Sequence, residues 1–136
     1  MRRSAFVSVA ALFSLLNAIP GLVAPGVIAS LYGVTLDPET VLIAQLLAAS
    51  YIGYAVINWT SRGCTDLAVR RGIDVGNLMA WAASSVIWIY AASTGITNAT
   101  GWIGAGFTLL FTLGWAYFAI TDRAIGSRAV TAVPRA

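Results

Sequence analysis

The sequence predicts an all-α integral membrane protein, a single-domain four-helix bundle with both termini in the cytoplasm. Three observations predict it. Of 136 residues, 59% are hydrophobic and 10% charged, with a mean hydropathy of +0.82, too little polar surface to cover a water-soluble globule of this size. Long apolar runs recur four times, over about residues 5–24, 38–60, 75–94 and 102–121, each close to the roughly 20 residues that cross a hydrocarbon core. All eight basic residues are arginines, and all fall on one side of those four runs.

The first run follows Met1-Arg2-Arg3. Two arginines before an apolar stretch can open a secretory signal peptide, but this run is long for a signal core. Asn17 and Pro20 interrupt it, and no A-x-A site precedes a plausible mature start, so it is read as a retained first span, kinked at Pro20-Gly21. Pro25-Gly26 breaks the helix. Residues 27–32 are too short to span and are expected at the outer interface with Tyr32 as an anchor, before Gly33 turns the chain.

The second run has a complete helix start: Asp37 as cap, Pro38 in the first turn and Glu39 at the positive end of the dipole. No charge follows from Val41 to Ile57, and Ser61-Arg62-Gly63 is a basic stop. Residues 61–75 are the longest polar segment, with one or two helical turns expected over 65–71 on the inner surface. An uncharged turn over 95–101 joins the third and fourth spans, and the polar tail from 122 is expected to fray.

Orientation follows from the arginines. Arg2, Arg3, Arg62, Arg70, Arg71, Arg123, Arg128 and Arg135 share one side, and the opposite segments, 27–40 and 95–101, have none. That asymmetry places both termini in the cytoplasm. Trp59 and Trp115 suit the inner aromatic belt and Tyr90 and Trp102 the outer, whereas Trp81 lies too deep for a belt and is expected in packing.

The segment Leu31-Tyr32-Gly33-Val34-Thr35-Leu36-Asp37-Pro38, with a small-residue helix closing in Trp59, resembles a family of small bacterial four-helix membrane proteins of unknown function, the DUF4345 type. Gly95-Ile96-Thr97-Asn98-Ala99-Thr100-Gly101-Trp102 and Gly114-Trp115-Ala116-Tyr117-Phe118 are similar to the same pattern, so the likeness covers most of the chain. It implies a four-span protein of the bacterial inner membrane and brings no established activity. A His often found in that family's last helix is absent here. A looser resemblance links the chain to DoxX-type proteins, some tied to quinone-dependent sulfur oxidation, but no motif residue carries that role across.

The missing residue types exclude a good deal. The lone Cys64 rules out an internal disulfide and any multi-cysteine metal site. Without His or Lys there is no imidazole metal or haem ligation, no Schiff base, and no activating base for a serine. Beyond the capping turn at Glu39, no Asp, Glu, Arg, Lys or His is read inside any proposed span, which leaves proton relays and ion pumps short of groups. No catalytic residue, metal or cofactor is therefore expected. The pI of about 9.5 does not imply nucleic acid, because arginines flanking spans answer to topology and anionic lipid.

What remains inside the spans is amides, hydroxyls and phenols. Asn17, Gln45, Tyr51, Tyr54, Ser85 and Thr108 are the candidate intramembrane polar layer or ligand pocket, against the simpler reading of interhelical hydrogen bonding. Asn17 and Gln45 fall at matching depth and are expected to point inward, toward each other or a shared polar cavity rather than to lipid; facing amides can exchange two hydrogen bonds. Arg62, Arg70 and Arg71 are candidate contacts to anionic lipid. Small-residue stripes, such as Ala10, Ser14, Ala18 and Gly21 or Ala44 and Ala48, serve packing within one bundle or a homodimer or other membrane partner. Asn98-Ala99-Thr100 matches a glycosylation sequon on the outer side. The function expected is a non-catalytic membrane component, accessory, assembly-related or lipid-organising. The alternative is a binder or carrier of a small apolar, lipid- or quinone-like ligand, as a subunit of a membrane redox complex.

Overall fold

A computed structural model describes residues 2–131, with side chains through Thr121. These residues form five helices: α1 (Arg3–Val23), α2 (Pro25–Leu31), α3 (Pro38–Ser61), α4 (Leu67–Ser93) and α5 (Gly101–Thr131). Four of them, all but α2, are long and apolar enough to cross a membrane. Met1, Arg135 and the side chains of Arg123 and Arg128 lie outside the described residues.

The helix boundaries follow local chemistry. Asp37 caps α3 by accepting from the Thr40 amide at 2.7 Å, and Pro38 occupies the first turn. Asp66 caps α4 through the amides of Ala68 and Val69 at 2.8 and 3.0 Å. Two expectations are corrected here. The polar turns expected to lie separately over 65–71 are the first turns of α4, because Asp66 starts the helix there and nothing breaks it before Ser93. The tail expected to fray from 122 continues α5 to Thr131. Pro20 sits in the last turn of α1, and Pro25 supplies the first position of α2.

The bundle is two tightly packed pairs, α1 with α3 and α4 with α5. In the first pair a Cβ on Gly21 would stand 2.9 Å from the Ala48 Cβ, so backbones meet where both stripes are smallest. The pairs are joined by rings. Phe6 lies 5.9, 5.0 and 5.3 Å from Phe111, Trp115 and Phe118, while Phe13 lies 5.9 and 4.9 Å from Trp81 and Phe111. Phe6 and Phe13 are two turns apart on one face of α1, the face that α3 leaves free. Gly114 is required there, since a Cβ would overlap the Phe6 ring.

The exterior is apolar like the ring core, and several polar residues are buried. Leu16, Ile43, Leu46, Val86, Ile87, Leu110, Leu113 and Ile120 are exposed, whereas Ser14, Asn58, Asp74, Asn77, Ser85 and Thr108 are buried. Apolar side chains outward and hydrogen-bonded polar ones inward suit a hydrocarbon solvent and oppose an aqueous one.

Candidate functional site

Polar contacts close the two helix pairs at both ends. At the end where α1 begins, Arg3 and Asp74 form a buried ion pair, their side chains 8% and 0% exposed. Arg3 Nε donates to both carboxylate oxygens at 3.1 Å, Nη2 donates to Oδ1 at 2.6 Å, and Nη1 reaches the Ser61 carbonyl at 3.4 Å. One turn deeper, Asn58 and Asn77 exchange two hydrogen bonds, each 3.1 Å. At the opposite end the Asn98 amide donates to the Tyr32 carbonyl at 2.8 Å. Asn98 Nδ2 and Thr100 Oγ1 both donate to the Leu31 carbonyl, at 3.1 and 2.7 Å. The sequon residues thus clasp the α2–α3 turn with their own side chains.

Between these ends α3 and α4 are not among the closely packed pairs, and an open cleft of about 240 Å³ lies at mid-height, with Leu47, Ser50 and Tyr54 of its lining exposed. Ser14 of α1, Leu47, Ser50, Tyr51 and Tyr54 of α3, and Ala80, Trp81 and Ser84 of α4 line it. The three serines are already committed as donors. Ser14 donates to the Ala10 carbonyl (2.9 Å), Ser50 to Leu46 (3.1 Å) and Ser84 to Ala80 (2.9 Å). Their oxygens keep lone pairs for a guest. Among the described residues neither the Tyr51 nor the Tyr54 hydroxyl has a protein hydrogen-bond partner, so both phenols are available as donors. A second groove of about 330 Å³, between α1 and α3 beside Leu15, Ile52 and Trp59, is apolar. Its Thr60 hydroxyl donates within its own helix to Val56, leaving little to orient a ligand.

The six residues expected to form one polar layer separate into three groups. Tyr51 and Tyr54 line the cavity. Ser85 and Thr108 do not: Ser85 meets Thr112 at 3.1 Å across α4 and α5, and Thr108 donates to the carbonyls of Gly104 and Ala105 in its own helix. Asn17 and Gln45 do not face each other, which corrects the expected amide pair. Asn17 is exposed and donates to the Phe13 carbonyl at 2.8 Å. Gln45 donates to the Leu22 carbonyl at 3.0 Å. Two physical causes account for this. The Gly21–Ala48 contact fixes the helix register with Ala18 inward, so its neighbour Asn17 turns away by about 100°. Leu22, near the end of α1, has a carbonyl left without a helical donor, and Gln45 supplies one.

The reciprocal amide exchange does occur, between Asn58 and Asn77, and sequence reasoning missed it along with Arg3–Asp74. A signal was present: Asp74, Asn77, Trp81 and Ser85, all buried, recur at three- and four-residue spacing on one face of α4. Starting the third span at 75 left Asp74 outside it. Of the candidate lipid contacts, Arg71 is exposed and Arg70 half-buried, while Arg62 folds back over Trp59, its guanidinium carbon 4.0 Å from the ring centroid. Arg62 also donates to the Trp59 carbonyl.

Among the described residues no group of three His, Cys, Asp or Glu could hold a metal ion. The lining of the cleft contains no acid, base or cation. No family model matches the chain, and neither does any curated protein or solved structure.

Proposed function

We propose that the chain is a non-catalytic multi-pass protein of the bacterial inner membrane, both termini cytoplasmic, that binds a small amphipathic ligand between α1, α3 and α4. The observation that carries this reading is the cavity: a bundle otherwise joined by rings and closed at both ends leaves a gap at mid-height. Hydroxyl oxygens and unpartnered phenols line that gap. The DUF4345-like resemblance accords with four spans and adds no activity.

The test is to purify the full chain in mild detergent and identify co-purifying molecules by mass spectrometry. Wild-type protein should carry one lipid-like molecule per chain, and Ser84→Phe, which fills the cavity from α4, should lose it. Equal lipid in both, or a stoichiometric protein partner with no small molecule, would replace this reading with the accessory or assembly role. For orientation, a reporter active only in the cytoplasm should work when fused at Arg71 and fail at Asn98. Activity at Asn98 would reverse the proposed topology.

A further inference from the structure

We infer that the groove between α1 and α3 seats one acyl chain of an anionic phospholipid, with the lipid phosphate held by Arg62 at the rim of the groove. This site is separate from the α1/α3/α4 cleft and does not rest on it.

Length is the first argument. Ala11 of α1 and Ala55 of α3, both buried, form the floor, and the exposed Leu15, Ile52, Val56 and Trp59 form the walls. The two small side chains leave a furrow that larger ones would fill. On α3 the groove runs from Thr60, one residue before the end of the helix, back to Ile52. Eight residues at about 1.5 Å each make roughly 12 Å, close to half of a hydrocarbon core about 30 Å thick. The groove therefore covers the depth of one leaflet, which suits a single chain entering from the end where α3 stops.

The rim is the second. Within the groove no polar group orients a guest, so orientation falls to its mouth. Arg62 follows the last residue of α3 and folds back over Trp59, its guanidinium carbon 4.0 Å from the ring centroid, while Nη1 donates to the Trp59 carbonyl. Trp59 thus walls the groove and carries the cation. Nε and Nη2 are left for phosphate oxygens, a pairing to which the guanidinium fork is matched, and among the described residues no carboxylate pairs with Arg62. The helix end does not oppose an anion either. Terminal carbonyls repel negative charge, but here the Trp59 carbonyl takes Arg62 and the Ser61 carbonyl takes Arg3 Nη1 at 3.4 Å.

Charge selects the head group. At this end Asp66 is committed to the amides of Ala68 and Val69, and Asp74 to Arg3. Neither is left for the ammonium of a zwitterionic head, whereas Arg2 and Arg71 add exposed positive charge at the same end. A head of net negative charge is favoured.

The test is native mass spectrometry of the full chain, stripped of lipid and titrated with dioleoyl phosphatidylglycerol, with dioleoyl phosphatidylethanolamine as the zwitterionic control. One phosphatidylglycerol should bind per chain in preference to the control. Arg62→Gln should weaken it about fivefold and remove the preference, and Arg62→Lys should keep most of it. Val56→Trp, which fills the groove from an exposed position, should weaken both lipids. Arg71→Gln, and Ser84→Phe in the other cleft, should leave binding unchanged. Equal losses in Arg71→Gln and Arg62→Gln would overturn the rim site in favour of diffuse surface charge. Phosphatidylethanolamine binding as tightly to wild type would overturn the head-group class, and binding unaffected by Val56→Trp would overturn the groove. Loss of phosphatidylglycerol in Ser84→Phe would move the lipid to the cleft and overturn the proposal while supporting that reading.

Discussion

Removing either member of the Arg3–Asp74 pair should destabilise the bundle, and the two removals should not cost the same. Arg3→Met strips a fully buried carboxylate of three hydrogen bonds from one guanidinium, at 2.6, 3.1 and 3.1 Å. Breaking a buried pair from one side costs about 3–5 kcal/mol. Asp74→Leu leaves a guanidinium on a long stem at the first residue of α1, where it can extend to water or head groups. Relief by extension should cut that cost to about 1–3 kcal/mol. The double variant replaces the pair with apolar groups and should lie within about 2 kcal/mol of wild type. The assay is equilibrium unfolding in mixed micelles by titration with a denaturing detergent, on all four corners of the cycle. Additivity within about 0.5 kcal/mol, or a larger loss from Asp74→Leu than from Arg3→Met, would refute the reasoning.

Gly114→Ala should cost about 1–3 kcal/mol in the same titration, because the new methyl meets the Phe6 ring, and Phe6→Leu in that background should recover part of it. Asn58→Leu or Asn77→Leu alone should destabilise more than both together, Asn77→Leu stranding the Asn58 amide and Asn58→Leu leaving Asn77 with its bond to the Ile73 carbonyl only; the membrane coupling expected is about 0.6 kcal/mol and at most about 1.7. Asp37 is held below its ordinary pKa of 3.8, first by the hydrogen bond from the Thr40 hydroxyl and then by that from the Thr40 amide. Since the folded value is the lower one, the cap contributes fully above pH about 4 and is lost as pH falls through the folded pKa. Hydrogen exchange at the Thr40 amide should accelerate in that acid range in wild type and show no such step in Asp37→Asn, which caps at any pH.

The long helices were legible because their signals are local. Asp37-Pro38-Glu39 marked a helix start without reference to anything else, and α3 begins there. Tyr51 and Tyr54 were singled out as phenols inside an apolar run, and both line the cavity. What could not be read was pairing at a distance. Arg3 and Asp74 are far apart in sequence, and each had a sufficient local reading, one as a topology charge and the other as a loop acid. Asn17 and Gln45 matched in depth, but depth does not give the angle around a helix axis. That angle is set by which small residues let backbones touch, here Gly21 and Ala48. Ser85 and Thr108 show the same limit, since a hydroxyl bonded within its own helix looks like a pocket residue in one dimension.

The ion pair also orders the assembly of the chain in time. Residues separated by 71 positions cannot meet until the third long helix has been made, so the nascent first helix carries an unpartnered arginine at the membrane surface through the synthesis of α2 and α3. α1 and α3 can associate meanwhile through Gly21 and Ala48, and α4 with α5 through neighbours such as Ser85 and Thr112. Docking of the two pairs brings Phe6 and Phe13 against the rings of α4 and α5 and takes the arginine from water to Asp74. The gap beside Trp81 does not exist before that step. A guest that occupies it is therefore a ligand of the docked state alone, and its presence in the bilayer should raise the yield of completed bundles by mass action without altering either half.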